Sequence, residues 1–205
     1  MSDLVNTRRS LHAVAELLLA GPQYRACGTI KLTVTPSGFA TIREPVAELT
    51  GGLLRYNGRT AELHGRTIAE VGDEVDLAPD SLDSVYMDGC GLDASHLLDV
   101  DADAAAEICH AFARGDQALA DFAPTCERVL WPEHFDIGIS LEEVNYGVSP
   151  GDSFLPVPYA YVGPWHLEGL SGAFWNAPFG AARRLDEIED LAGFFTEGSR
   201  SVSDR

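Results

Sequence analysis

His134 and Asp136 sit two residues apart in the stretch Trp131-Pro132-Glu133-His134-Phe135-Asp136-Ile137-Gly138-Ile139. Side chains alternate along a strand. A strand over Phe135–Ser140 therefore puts His134, Asp136, Gly138 and Ser140 on one face and Phe135, Ile137 and Ile139 on the other. A carboxylate beside an imidazole raises its basicity and selects its tautomer. Such a pair suits a general base, or two ligands of a metal with Glu133 or Glu143 as a third. Glu133 would join only through a turn, because adjacent strand residues face opposite ways. The bland alternative is a solvated sheet face on which the two side chains simply hydrogen-bond.

The next segments extend that face. Asn145, Gly147 and Ser149 alternate in one strand, and Tyr159 and Tyr161 in another, with Trp165 just beyond. Glycines leave room for a ligand and aromatics wall it in. The expected site is a polar and aromatic cleft for a small organic ligand, with His134 and Asp136 as candidate catalytic groups and Asn145, Tyr159, Tyr161 and Trp165 as ligand contacts. No metal site and no particular cofactor is assigned. No phosphate-binding glycine loop, nucleophile elbow or HExxH motif occurs.

Other reactive residue types are less informative. Cys27, Cys90, Cys109 and Cys126 lack the spacing of a zinc cage or disulfide framework. Gly89-Cys90-Gly91 is a setting for an exposed thiol, without a base nearby in sequence. Asp99, Asp101 and Asp103 imitate the opening of a calcium loop, but Ala104 and His110 occupy its glycine and glutamate positions. They suit a helix N-terminus better. His12, His64, His96, His110 and His166 read as structural or surface groups.

The elements that must position these residues are legible in outline. Ser2 or Asp3 caps a first helix with an apolar stripe at Leu4, Leu11, Val14, Ala15 and Leu18, and Ala20-Gly21-Pro22 stops it. Strands follow over Thr29–Thr35 and Phe39–Arg43. Asn57-Gly58 makes a tight hairpin of Leu53–Tyr56 with Arg59–His64. A short helix near Thr67–Val71 precedes a loop-rich acidic stretch. A longer helix runs from about Asp101 to Phe122, with Ile108, Phe112, Leu119 and Phe122 as its inner stripe. Strands over Phe135–Ser140, Val144–Ser149 and Tyr159–Gly163 come next. A closing helix begins near Arg184. The expected fold is α+β: antiparallel sheet with a helix before each of two strand meanders and a C-terminal helix. The expected domain is 1–197, with halves 1–100 and 101–197, followed by a disordered tail 198–205.

The chain has 205 residues and a formal charge of −18, with 45% apolar and 22% charged residues. That charge opposes nucleic acid and anionic membrane as partners. It also admits a rival of another class, an acidic module that docks on a basic protein and has no ligand site. Arg8-Arg9 before an apolar run imitates an export signal, but His12 and Glu16 interrupt the run. A cytoplasmic bacterial protein is expected.

Several blocks carry a resemblance: Gly28-Thr29-Ile30-Lys31-Leu32 with Thr35 to Thr41, Trp131 to Ile139, Asn145 to Asp152 (NYGVSPGD), Pro158 to Trp165 (PYAYVGPW) and Phe174 to Ala181 (FWNAPFGA). In these the chain resembles an uncharacterised bacterial family, common in actinobacteria, that is defined only as a domain of unknown function. Glu70 to Asp99 departs from the pattern. The resemblance implies a stand-alone bacterial protein whose distinctive blocks cluster in the C-terminal half. It carries over no catalytic residue.

Overall fold

Leu11, Val14, Ala15 and Leu18 are all fully buried, so the first apolar stripe forms one inner helix face. The structure is a computed structural model that describes residues 3–87 and 89–203; Met1, Ser2, Asp88, Asp204 and Arg205 lie outside the described residues. Helix α1 spans Asp3–Val14. It does not stop at Ala20-Gly21-Pro22. A π-helical segment, Ala15–Ala20, leads straight into α2, Gly21–Cys27, which ends at Gly28 with φ 77°. Pro22 has no N–H to donate within this unbroken helix, and Leu17 O, one π-turn earlier, accepts instead from Asp80 N. Gly21 is needed because a Cβ there would collide with the Asp80 carbonyl. Gln23 then pins α2 to the sheet: its Nε2 donates to Thr29 O and Lys31 O, and its Oε1 accepts from Ile42 N and Arg43 N.

Two five-stranded antiparallel meanders follow. The first comprises β1 (Leu32–Thr35), β2 (Gly38–Thr41), β3 (Ala47–Thr50), β4 (Leu53–Tyr56) and β5 (Arg59–Glu62). The second comprises β6 (Val129–Trp131), β7 (Asp136–Leu141), β8 (Val144–Ser149), β9 (Tyr159–Pro164) and β10 (Ala181–Arg184). Antiparallel pairing of Leu32 with Leu130 joins them into one ten-stranded sheet, ordered β10-β9-β8-β7-β6-β1-β2-β3-β4-β5. The two halves of the chain thus share a continuous sheet, and the fold is α+β. Asn57 and Gly58 take φ of 49° and 76°, as the tight β4–β5 hairpin requires.

Three helices complete the structure. Helix α3, Ile68–Val75, starts on a capping box of Thr67 and Glu70. Helix α4, Ala102–Phe122, is capped by Asp101, whose side chain accepts from Ala104 N. It packs on β7 and β8, and a Cβ on Gly115 would lie 2.8 Å from both Ile137 and Val148. Helix α5 is Leu191–Ser203. No helix among the described residues is long and apolar enough to cross a membrane.

Three strands go beyond the sequence reading: β3, β6 and β10. Ala181-Ala182-Arg183-Arg184 has little strand preference, yet it pairs with Tyr159–Val162 because the β9 edge is open to it. The closing helix consequently begins at Leu191, after a 3₁₀ turn at Leu185–Glu187, and not at Arg184. Of the expected tail, Gly198 to Ser203 continue α5, with Gly198 close against Val162 and Phe174, and Asp204 and Arg205 lie outside the described residues.

Candidate functional site

Outside the strands, the β6–β7 turn decides the geometry of the candidate site. Trp131 pairs with Asp136, so residues 132–135 form the turn and Asp136 opens β7. Phe135 has φ 51°, a strained conformation for a bulky residue. What holds it there is burial: its ring stacks on His12 at 5.3 Å and meets Phe39 and Phe112 edge-on at 5.6 and 5.1 Å. The expected strand over Phe135–Ser140 therefore starts one residue late.

His134 consequently lies in the turn, not beside Asp136 on a strand face. Its nearest carboxylate is Glu133, with Nε2 to Oε2 at 4.0 Å, and its side chain is exposed. Among the described residues no hydrogen bond or ion pair links His134 to Asp136, and His134 acts on that carboxyl only through space, lowering its pKa. Asp136 takes a different partner. Its Oδ2 accepts a 2.6 Å hydrogen bond from the Tyr161 hydroxyl, while its Oδ1 is buried with no hydrogen-bond partner among the described residues. Burial pushes the Asp136 carboxyl above the ordinary carboxylate range; the Tyr161 hydrogen bond pulls the other way. Burial and the neighbouring carboxyl raise the Tyr161 phenol well above its ordinary value. The shared environment favours a protonated acid beside a neutral phenol.

Strand alternation brings this pair together. In β8 and β9, Val144, Tyr146, Val148, Ala160 and Val162 face the core, and Asn145, Gly147, Ser149, Tyr159, Tyr161 and Gly163 face the other side. Gly147 pairs with both Gly138 and Tyr161. Its bare backbone lets the Tyr161 ring reach across to Asp136; a Cβ there would lie 2.5 Å from Tyr161 Cζ. The Tyr159 hydroxyl donates to Asp152 Oδ2 at 2.6 Å, and Asp152 Oδ1 accepts from Phe154 N and Leu155 N. Asn145 Oδ1 accepts from Ser140 Oγ at 2.7 Å and from Trp165 Nε1 at 3.1 Å.

These residues border one cleft of ≈ 1060 Å³. His134, Asp136, Asn145, Tyr159, Tyr161 and Trp165 all line it. So do residues that the sequence reading did not select. Val5, Arg8, Arg9 and His12 of α1 form a second wall, and Leu167, Pro178 and Phe179 contribute apolar surface. The four α1 residues follow the i, i+3, i+4, i+7 spacing of a single helix face, which was available from sequence. Nothing in the sequence placed that face against the sheet.

His12 is both structural and part of the cleft wall. Its Nε2 donates to Pro132 O at 2.7 Å, and burial lowers its pKa from 6.5 to about 4. It is therefore neutral near pH 7. Cys90 is no thiolate: burial pushes its thiol up to about 12, with Glu16 adding to the effect. No group of three His, Cys, Asp or Glu side chains placed to hold a metal ion occurs among the described residues. Glu143, a conceivable third ligand, sits in the β7–β8 turn with φ 61°.

Comparisons with protein-family models, with curated proteins and with solved structures give no match, so the cleft and its chemistry are what bear on function.

Proposed function

We propose that this chain binds a small organic molecule in the cleft between α1 and the face of β7, β8 and β9. The observation that carries this reading is the state of Asp136. Its residue is only 9% exposed, one carboxyl oxygen is held by Tyr161 and the other has no partner among the described residues. A buried polar atom left unpaired costs about 1–3 kcal/mol. Such a cost is commonly recovered at a site that a ligand completes. The cleft volume of ≈ 1060 Å³ suits a small molecule, and aromatic walls with few polar groups are the usual composition of such sites.

The raised carboxyl favours a second reading, proton transfer to a bound substrate. A carboxylic acid that keeps its proton near neutral pH is a competent general acid. Asp136 would supply the proton and Tyr161 would hold the carboxyl in place. His134, at the exposed rim, is then a contact rather than the base.

Ligand-observed NMR against a fragment library tests the binding reading. Hits should quench the fluorescence of Trp165, read against Trp165→Phe, and should lose affinity in Asp136→Ala. Hits that ignore both changes would place binding elsewhere and overturn the reading.

A further inference from the structure

Arg8 projects from α1 into the same cleft. It is half-buried, and among the described residues its side chain donates from Nη1 to Pro156 O at 3.3 Å. Its guanidinium lies over Gly151, where a Cβ would come within 2.6 Å of Nη1. The glycine thus leaves room for the guanidinium. Among the described residues, no carboxylate lies within ion-pair distance of Arg8. Asp152 is the nearby acid, but its oxygens already accept from Tyr159, Phe154 and Leu155. Asp152 acts on Arg8 only through space, so the planar guanidinium, partly desolvated and without a direct ion pair, keeps its hydrogen-bonding edge for a carboxylate, which it binds in a two-pronged geometry.

The rest of the cleft sets the shape of that anion. Trp165 is 58% exposed and Leu167 44% exposed, and with Phe179 they supply apolar lining to the cleft. Exposed apolar side chains grouped at a cleft mark a contact surface. Asp136, whose buried Oδ1 has no hydrogen-bond partner among the described residues, offers a polar contact at the floor of the cleft. Building on the proposed binding site, we infer that the cleft takes a small aromatic carboxylate, its charge on Arg8, its ring against Trp165, Leu167 and Phe179, and a polar substituent toward Asp136.

Calorimetric titration of the full chain with three probes of one ring system tests this: 4-hydroxyphenylacetate, its neutral amide, and tyramine. The acid should bind best. Arg8→Gln should weaken the acid roughly tenfold to a hundredfold, the usual value of a charge-assisted hydrogen bond, and leave the amide nearly unchanged. Arg8→Lys should fall between them. If acid and amide bind wild type equally, or if tyramine binds best, the inference is overturned. That comparison needs no variant and stands even if Arg8→Gln melts early. Amide or tyramine binding that is lost in Asp136→Ala would leave the binding site intact while sinking the carboxylate. Failure of all three probes at millimolar concentration would count against both.

Discussion

The ring of Tyr161 lies across the bare backbone of Gly147, its antiparallel partner, and that overlap delivers the hydroxyl to Asp136 at 2.6 Å. A methyl group at Gly147 would force the ring away. Gly147→Ala should therefore destabilise the protein by about 1–3 kcal/mol, combining overpacking with a lost hydrogen bond to a buried carboxyl. Tyr161→Phe should cost a similar amount alone. In the double variant the two losses should fall short of their sum, as expected of residues in contact. Urea titrations of the four proteins measure the coupling, and strict additivity would mean that Gly147 does not position Tyr161.

Asp136 sets a pH dependence of one sign. Its folded pKa lies above its unfolded value, so between the two the folded state binds more protons and stability falls as pH rises. Asp136→Asn removes that slope. The variant should match or exceed wild type at pH 8 and lose its advantage toward pH 4. Melting curves across that range check it, and a wild-type slope that persists in Asp136→Asn would assign the titration to another group.

His12 works in the opposite sense. Its pKa falls from 6.5 unfolded to about 4 folded, so the unfolded chain binds the extra proton between those values. Stability from this group is complete above about pH 6.5 and is lost as pH falls toward 4, by about 3 kcal/mol at most. His12→Phe keeps a ring against Phe135 and removes the titration, so its stability should be flatter over this window. The slope is the readout, because the lost bond to Pro132 O shifts the whole curve.

Facing along β7 is tested by two acidic substitutions. Ile137 is fully buried against α4, whereas Ser140 is exposed. Ile137→Asp should cost several kcal/mol, a large part of the roughly 5–15 kcal/mol typical of a domain, and Ser140→Asp should be mild. Thermal melts of both variants decide it. Equal tolerance would contradict the packing of the second meander on α4.

Much of this architecture is local in origin and so was readable from sequence. Asn57-Gly58 specifies its hairpin because both residues tolerate positive φ. The alternation in Val144–Ser149 and Tyr159–Val162 assigns one face to the core and the other to the cleft, because strand side chains alternate regardless of what lies beyond them. That is why Asn145, Tyr159 and Tyr161 were found together from sequence. Tertiary structure decided the rest. Packing of Phe135 on His12, Phe39 and Phe112 pulls it into a positive φ, which moves His134 into a turn and leaves Asp136 to Tyr161. Docking of α1 brings Arg8 and His12, more than a hundred residues away in the chain, onto the opposite wall. Neither event has a local signature: each depends on which surfaces bury one another, and a helix face or a strained dihedral is chosen by the contacts it gains across the fold.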